Sequence, residues 1–188
     1  MIIDPIEVFL EGASLGQAAV FTAACAERVA GILFWVVSRE GRDDDLDAYA
    51  STLDLLWDPD VARRTDGALT PHTIEAMREL VVGDAAIGPA AAALPGAIVM
   101  RSALLYRETG DIEWARDCSK ILEGHAVRLG RRASKLLLDD ERREQTADIN
   151  AITGSGDIDS AASLLLRERA TGVARARLEI AITAYANG

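Results

Sequence analysis

Phe21 to Val37 reads FTAACAERVAGILFWVV. Its apolar residues recur in steps of three and four, which is the period of a helix with one buried face. Towards Val37 the segment becomes apolar on every side, and a helix of that kind belongs at the centre of a bundle. Ser14 and Gln17 stand as S-x-x-Q ahead of it, a capping box that opens a helix. The spacing predicts one helix from Ser14 to about Arg39, stopped by Gly41. Ala18, Phe21, Cys25, Val29, Ile32 and Val36 form its core stripe. Glu27 and Arg28 interrupt it. Neighbours on a helix point about 100° apart, so these two side chains do not pair with each other. Each is expected to meet a group on another helix, as a structural polar pair that fixes register.

Working outward, the same period recurs along the chain. A second helix is predicted from Asp43, burying Leu46, Tyr49, Leu53 and Leu56 and ending at Trp57 before Asp58-Pro59. Asp60 to Gly67 reads as a polar link. Thr70-Pro71 opens a third helix, expected to run to Gly83. Pro89 and Pro95 interrupt the alanine-rich segment that follows, so a helix is expected from about Pro95 to Thr109 with a kinked turn before it. Gly110-Asp111 starts the next, with Ile112, Ala115, Cys118, Leu122, Ala126, Leu129 and Leu136 as its stripe. Asp139 to Asp148 reads as a solvated helix. Gly154-Ser155-Gly156 is the clearest break, and Asp157 is expected to cap a final helix to about Ala186. No segment carries the period-two alternation of a strand. The expectation is all-α: a single compact bundle of about six to eight helices over residues 1–188, with a central long apolar helix.

Composition agrees. Of 188 residues, 49% are apolar, enough for a core, while Phe, Trp and Tyr number three each. Alanine-rich, aromatic-poor interiors suit closely packed helices. The formal net charge is −10, which disfavours nucleic acid as a partner, because phosphate contacts need clustered cations. The opening MIIDPIEVFLEG has no basic region and is not read as a secretory signal. The longest apolar run, Val29 to Val37, is shorter than the ~20 residues of a membrane span. Neither a membrane nor a cofactor is expected, and the localisation expected is cytoplasmic. Cys25 and Cys118, without CxxC spacing, read as buried thiols.

Charge is unevenly placed. Glu40 to Asp60 holds eight acids against Arg42 alone, whereas Arg128 to Arg143 carries a net +3. Helix-start preference explains Asp43, Asp44 and Asp45, but not Asp54 and Asp58 at the other end. Asp43, Asp44, Asp45, Asp47, Asp54 and Asp58 are therefore the expected partner-binding face, suited to a basic protein.

Two motifs and two histidines bear on chemistry. Gly12-Ala13-Ser14-Leu15-Gly16 matches the G-x-S-x-G nucleophile elbow, but no strand precedes it and the capping box accounts for Ser14. Asp43-Asp44-Asp45-Leu46-Asp47 matches D-D-x-x-D, whose carboxylates, one turn apart, suit Mg²⁺ bridging a diphosphate. Asp43, Asp44 and Asp47 are thus metal-ligand candidates, set against the plainer reading of a solvated helix start. His72 and His125 stand alone, without zinc-ligand spacing. His125 borders its helix's stripe and is expected half-buried, with its hydrogen bonds made.

The F-x-x-x-C-A-E-R pattern at Phe21–Arg28 resembles the first long helix of a YjaG-like group of bacterial all-helical proteins of unknown function. Leu53-Asp54-Leu55-Leu56-Trp57 is similar to that group's L-D-x-x-W. Thr109 to Ala115 resembles its mid-chain helix start, and Leu166-Arg167-Glu168-Arg169 a late charged helix. Gly31 stands where the group usually has proline. The resemblance implies a helical domain and brings no catalytic residues.

The expected function is a non-catalytic acidic binding protein of the immunity or inhibitor type. The alternatives are a small Mg²⁺-dependent helical enzyme using Asp43–Asp47, and a self-associating scaffold, so a homo-oligomer stays open.

Overall fold

A computed structural model describes residues 4–58, 67–155 and 160–186. The described residues are all-α, without a strand. They form nine α-helices and a short 3₁₀ turn at Gly83–Ala85, more than the six to eight expected. The helices are α1 (Pro5–Gly12), α2 (Leu15–Arg39), α3 (Asp43–Leu56), α4 (Pro71–Ile74), α5 (Arg78–Val82), α6 (Gly88–Thr109), α7 (Ile112–Ala133), α8 (Leu138–Gly154) and α9 (Ser160–Ala186).

The Ser14–Gln17 capping box opens α2 as its sequence requires. Phe21, Cys25, Val29, Ile32 and Val36 are all buried. α2 packs against α3, α6, α7, α8 and α9. Two glycines let the neighbours approach. At Gly96 of α6, a Cβ would lie 3.0 Å from the Cβ of Leu33. At Gly31 of α2 it would lie 3.4 Å from the carbonyl oxygen of Ala174 on α9.

Several elements differ from expectation, each for a physical reason. The opening segment is a helix, with Pro5 at its start and Asp4 accepting from the amide of Ile6 at 2.9 Å. Phe9 places its ring 5.7 Å from that of Phe21. Gly12–Gly16 is therefore a helix-to-helix junction, not a strand-to-helix elbow. The single helix expected over 70–83 is broken at Met77, whose backbone is extended. The break coincides with the inward turn of Glu79, which meets Arg42 and Tyr49. α6 runs through Pro95. A proline inside a helix removes one hydrogen bond, and the burial of Ala92, Ala93, Gly96 and Ala97 around it holds the two halves in line.

α7 ends in a Schellman motif. The amide of Lys135 donates to Gly130 at 2.8 Å, and Ser134 takes the left-handed conformation (φ 55°). A Cβ on Gly130 would sit 2.6 Å from the carbonyl oxygen of Lys135. The chain reverses there, so Leu136 leaves the stripe and is 91% exposed. Of the polar link expected over Asp60–Gly67, all but Gly67 lies outside the described residues, as does the Asp157 cap.

α2 and α6 are each long and apolar enough to cross a membrane. Of the most apolar window of α2, 83% is buried against other helices, so a place inside the bundle accounts for the same composition.

Candidate functional site

The least expected feature is a buried charged group where α2, α7, α8 and α9 meet. α8 was expected to be solvated. Instead Glu141, Gln145 and Asp148, spaced four and three apart on one face, are buried. They face Arg28, which is 1% exposed. Its guanidinium hydrogen-bonds Asp148, and its Nε lies 3.3 Å from Glu141 Oε1. Arg177 of α9 brings Nη1 to 2.9 Å from Glu141 Oε2. These last two are charge contacts without hydrogen-bond alignment. Gln145 donates to Glu141 at 2.9 Å and accepts from Ser119 of α7 at 2.6 Å. Arg169 reaches Asp148 at 2.9 Å and also bonds Glu144.

Arg28, Arg177, Glu141 and Asp148 thus balance two positive against two negative charges in a site closed to water. Burial by itself would lower the pKa of Arg28, but Glu141, Cys25 and Asp148 carry it upward. Burial raises that of Asp148 against the lowering by Arg28 and Arg169. Arg28 also donates to Cys25 Sγ at 3.4 Å. Burial nevertheless pushes the Cys25 thiol up to about 12, so it is not a ready nucleophile. Cys118 is raised by the same cause. Both cysteines are free and buried.

His125 of α7 is 3% exposed, not half-buried, and its Nε2 has no hydrogen-bond partner among the described residues. Burial first, then Arg177 and Arg128, lowers its pKa to about 3. The imidazole is neutral at pH 7.

Glu27 points elsewhere, as a step of about 100° requires. It accepts from Trp57 Nε1 at 2.9 Å, from Thr171 Oγ1 at 2.9 Å and from Arg167 Nε at 3.3 Å. Adjacent charges on α2 therefore hold different neighbours: Glu27 ties it to α3's end and α9, Arg28 to α8.

The six-residue acidic face is reduced. Asp43, Asp44 and Asp47 are exposed at the start of α3, and no described cation pairs with them. Asp45 accepts from Arg42 at 2.8 Å, and Glu40 accepts from Arg42 and Arg78 at 2.9 Å each. Asp54 bonds Arg167. Asp58 is half-buried just beyond α3, and its carbonyl accepts from Arg107 at 2.9 Å. Arg78 and Arg167 come from distant parts of the chain, so the local sequence of Glu40–Asp60 does not reveal them. Glu79, which sequence reasoning did not single out, takes two bonds from Arg42 at 2.5 and 3.1 Å and one from Tyr49 at 2.8 Å. Burial works to raise its pKa, but these donors hold it below the ordinary carboxylate value.

Among the described residues no group of three or more His, Cys, Asp or Glu side chains is placed to hold a metal ion. Asp43, Asp44 and Asp47 are not brought together as ligands. No protein-family model matches the chain, and neither a curated protein nor a solved structure matches it.

The buried charged group had a legible signal. Leu166, Ala170, Ala174, Arg177 and Ala181 share one stripe of α9, and all are buried. Arg177 stands where an apolar residue belongs. Glu141, Gln145 and Asp148 lead in the same way into Ile149 and Ile152 on α8.

Proposed function

We propose that this chain is a non-catalytic acidic binding protein, of the immunity or inhibitor type, which engages a basic protein through Asp43, Asp44 and Asp47 at the start of α3. The observation that carries the reading is selective neutralisation. Glu40, Asp45 and Asp54 each meet an arginine, while those three carboxylates remain exposed and unmatched by any described cation. Exposed like charges on one helix end raise the association rate with a basic surface more than they add to affinity. We take the chain as one domain organised about α2, whose contacts with five other helices support that view. The likeness to the YjaG-like group and a cytoplasmic setting belong to the same proposal.

The test is charge reversal of Asp43, Asp44 and Asp47 to Lys, leaving Asp54 in place because it holds Arg167. Wild type and variant serve as paired baits for proteins of the source cell. A basic protein retained by wild type, with an association rate that falls with salt, and lost by the variant supports the reading. Equal retention by both overturns it. Stoichiometric Mg²⁺ binding by wild type that the variant lacks would favour the metal-dependent alternative.

A further inference from the structure

The apolar interior is divided. A large cluster joins α1, α2, α3, α6, α7 and α8 with Leu166 and Ala170 of α9. A smaller one contains Ile32, Ala92, Ala126, Leu129, Leu137 and Ala181, with Leu178, Ile180 and Tyr185 packed on it. The two halves of α9 thus rest on different clusters, and Arg177 lies at the boundary. Beyond Arg177 the helix is also held where Arg132 stacks on Tyr185, 4.1 Å from ring centroid to guanidinium carbon, and bonds the Ala184 carbonyl at 3.2 Å.

On α7, Leu122 belongs to the large cluster and Ala126 and Leu129 to the small one, so the buried His125, its Nε2 unpartnered among the described residues, sits between them. Arg177 on α9 and Arg128 on its own helix act on it. α8 supplies Glu141, which contacts Arg177, and α2 supplies Arg28, which is held by Glu141 and Asp148. α2 and α6 bring only Ile32 and Ala92 to the smaller cluster. The buried charges already balance. A proton on His125 would add a third buried cation with no carboxylate left to meet it, at a cost like that of any unpaired interior charge. Moving Arg177 outward relieves it, and the small cluster offers the least resistance to that motion.

We propose that protonation of His125 in mild acid releases the C-terminal half of α9 from the bundle while the large core stays closed, uncovering apolar surface at Ile32, Ala126 and Leu129. The device goes beyond the proposed partner-binding role of α3 and does not depend on it.

The sign follows from linkage. The closed form binds the proton only near pH 3, and an exposed His does so near 6.5, so opening is favoured as pH falls below 6.5. Between pH 7 and 4.5 the open population should rise about a hundredfold.

Amide hydrogen exchange on the full chain, corrected for intrinsic rates, tests this at the two pH values. The expected result is an about hundredfold loss of protection over residues 178–183, with α2 unchanged, and no such loss in His125→Gln. The same loss in that variant, a loss shared by α2, or no loss at all would overturn the proposal. Should His125→Gln fail to fold by circular dichroism, an NMR titration of wild-type His125 decides. Uptake of its proton together with the loss of α9 protection supports the mechanism. Uptake with α9 still protected, or α9 protection that does not fall as pH drops below about 6.5, overturns it.

Discussion

Replacing Arg28 by Met asks whether the buried charges act as a unit. Met fills much of the same space, so the change removes charge more than volume. Two carboxylates are affected, Glu141 and Asp148, which are 0% and 1% exposed. Removing one member of a buried ion pair costs about 3–5 kcal/mol, because the survivor stays desolvated without its counter-charge. Here each carboxylate keeps a second cation: Arg177 for Glu141 and Arg169 for Asp148. The lower end, about 3 kcal/mol, is therefore expected. That is a large share of a typical stability of about 5–15 kcal/mol. Urea melts at pH 7 measure it, and a cycle with Asp148→Asn isolates the pair, with a coupling of about 1–3 kcal/mol expected. The deficit should also depend on pH. Losing Arg28 removes an influence that lowers the pKa of Asp148, whose folded value is already raised by burial. The native variant then takes up a proton at a pH where the unfolded chain does not. Its deficit relative to wild type accordingly shrinks as pH falls through that folded value towards about 3.8. A loss under about 1 kcal/mol, or additive single changes, would refute the view of a coupled interior group.

Three further changes probe the packing. Gly130→Ala, ordinarily mildly favourable in a helix, should here destabilise by about 1–3 kcal/mol because the new methyl meets the Lys135 backbone, while Ser134→Gly should gain about 0.5–1 kcal/mol by relieving a left-handed residue; thermal melts that reverse either sign would contradict the Schellman geometry. Ile32→Ala should cost about 2–5 kcal/mol in denaturant melts through lost burial and a cavity, and a loss under about 0.5 kcal/mol would mean that the smaller cluster contributes little.

Local rules were readable where the chain obeys them. The Ser14–Gln17 box, Thr70-Pro71, Gly110 and Asp111 all mark helix ends that the structure has. They fail where tertiary partners override them. Pro95 lies inside α6 because packing on both sides holds the helix through the missing bond, and Met77 breaks a helix beside a glutamate that turns inward. The charged stretch of α8 was misread for a similar reason. Charge content alone does not give exposure when Arg28 and Arg177 arrive from helices distant in sequence; only the stripe that leads into Ile149 and Ile152 does. The partners of Glu27 and Arg28 were expected in kind but not in identity, since pairing across 120 residues to Asp148 or 140 to Arg167 leaves no periodic trace. The acidic face was overcounted because Arg167, which meets Asp54, lies 113 residues further along the chain.

Cys25 and Cys118 have a practical consequence. Both are fully buried, Cys25 on α2 and Cys118 on α7, and neither ionises readily. Alkylating reagents attack thiolates that solvent can reach. In the folded chain both sulfurs are shut off from them by position and by protonation at once. The rate at which a maleimide or iodoacetamide tag appears on either residue is therefore a clock for the parting of the central helices, and it stays silent when only an outer segment frays.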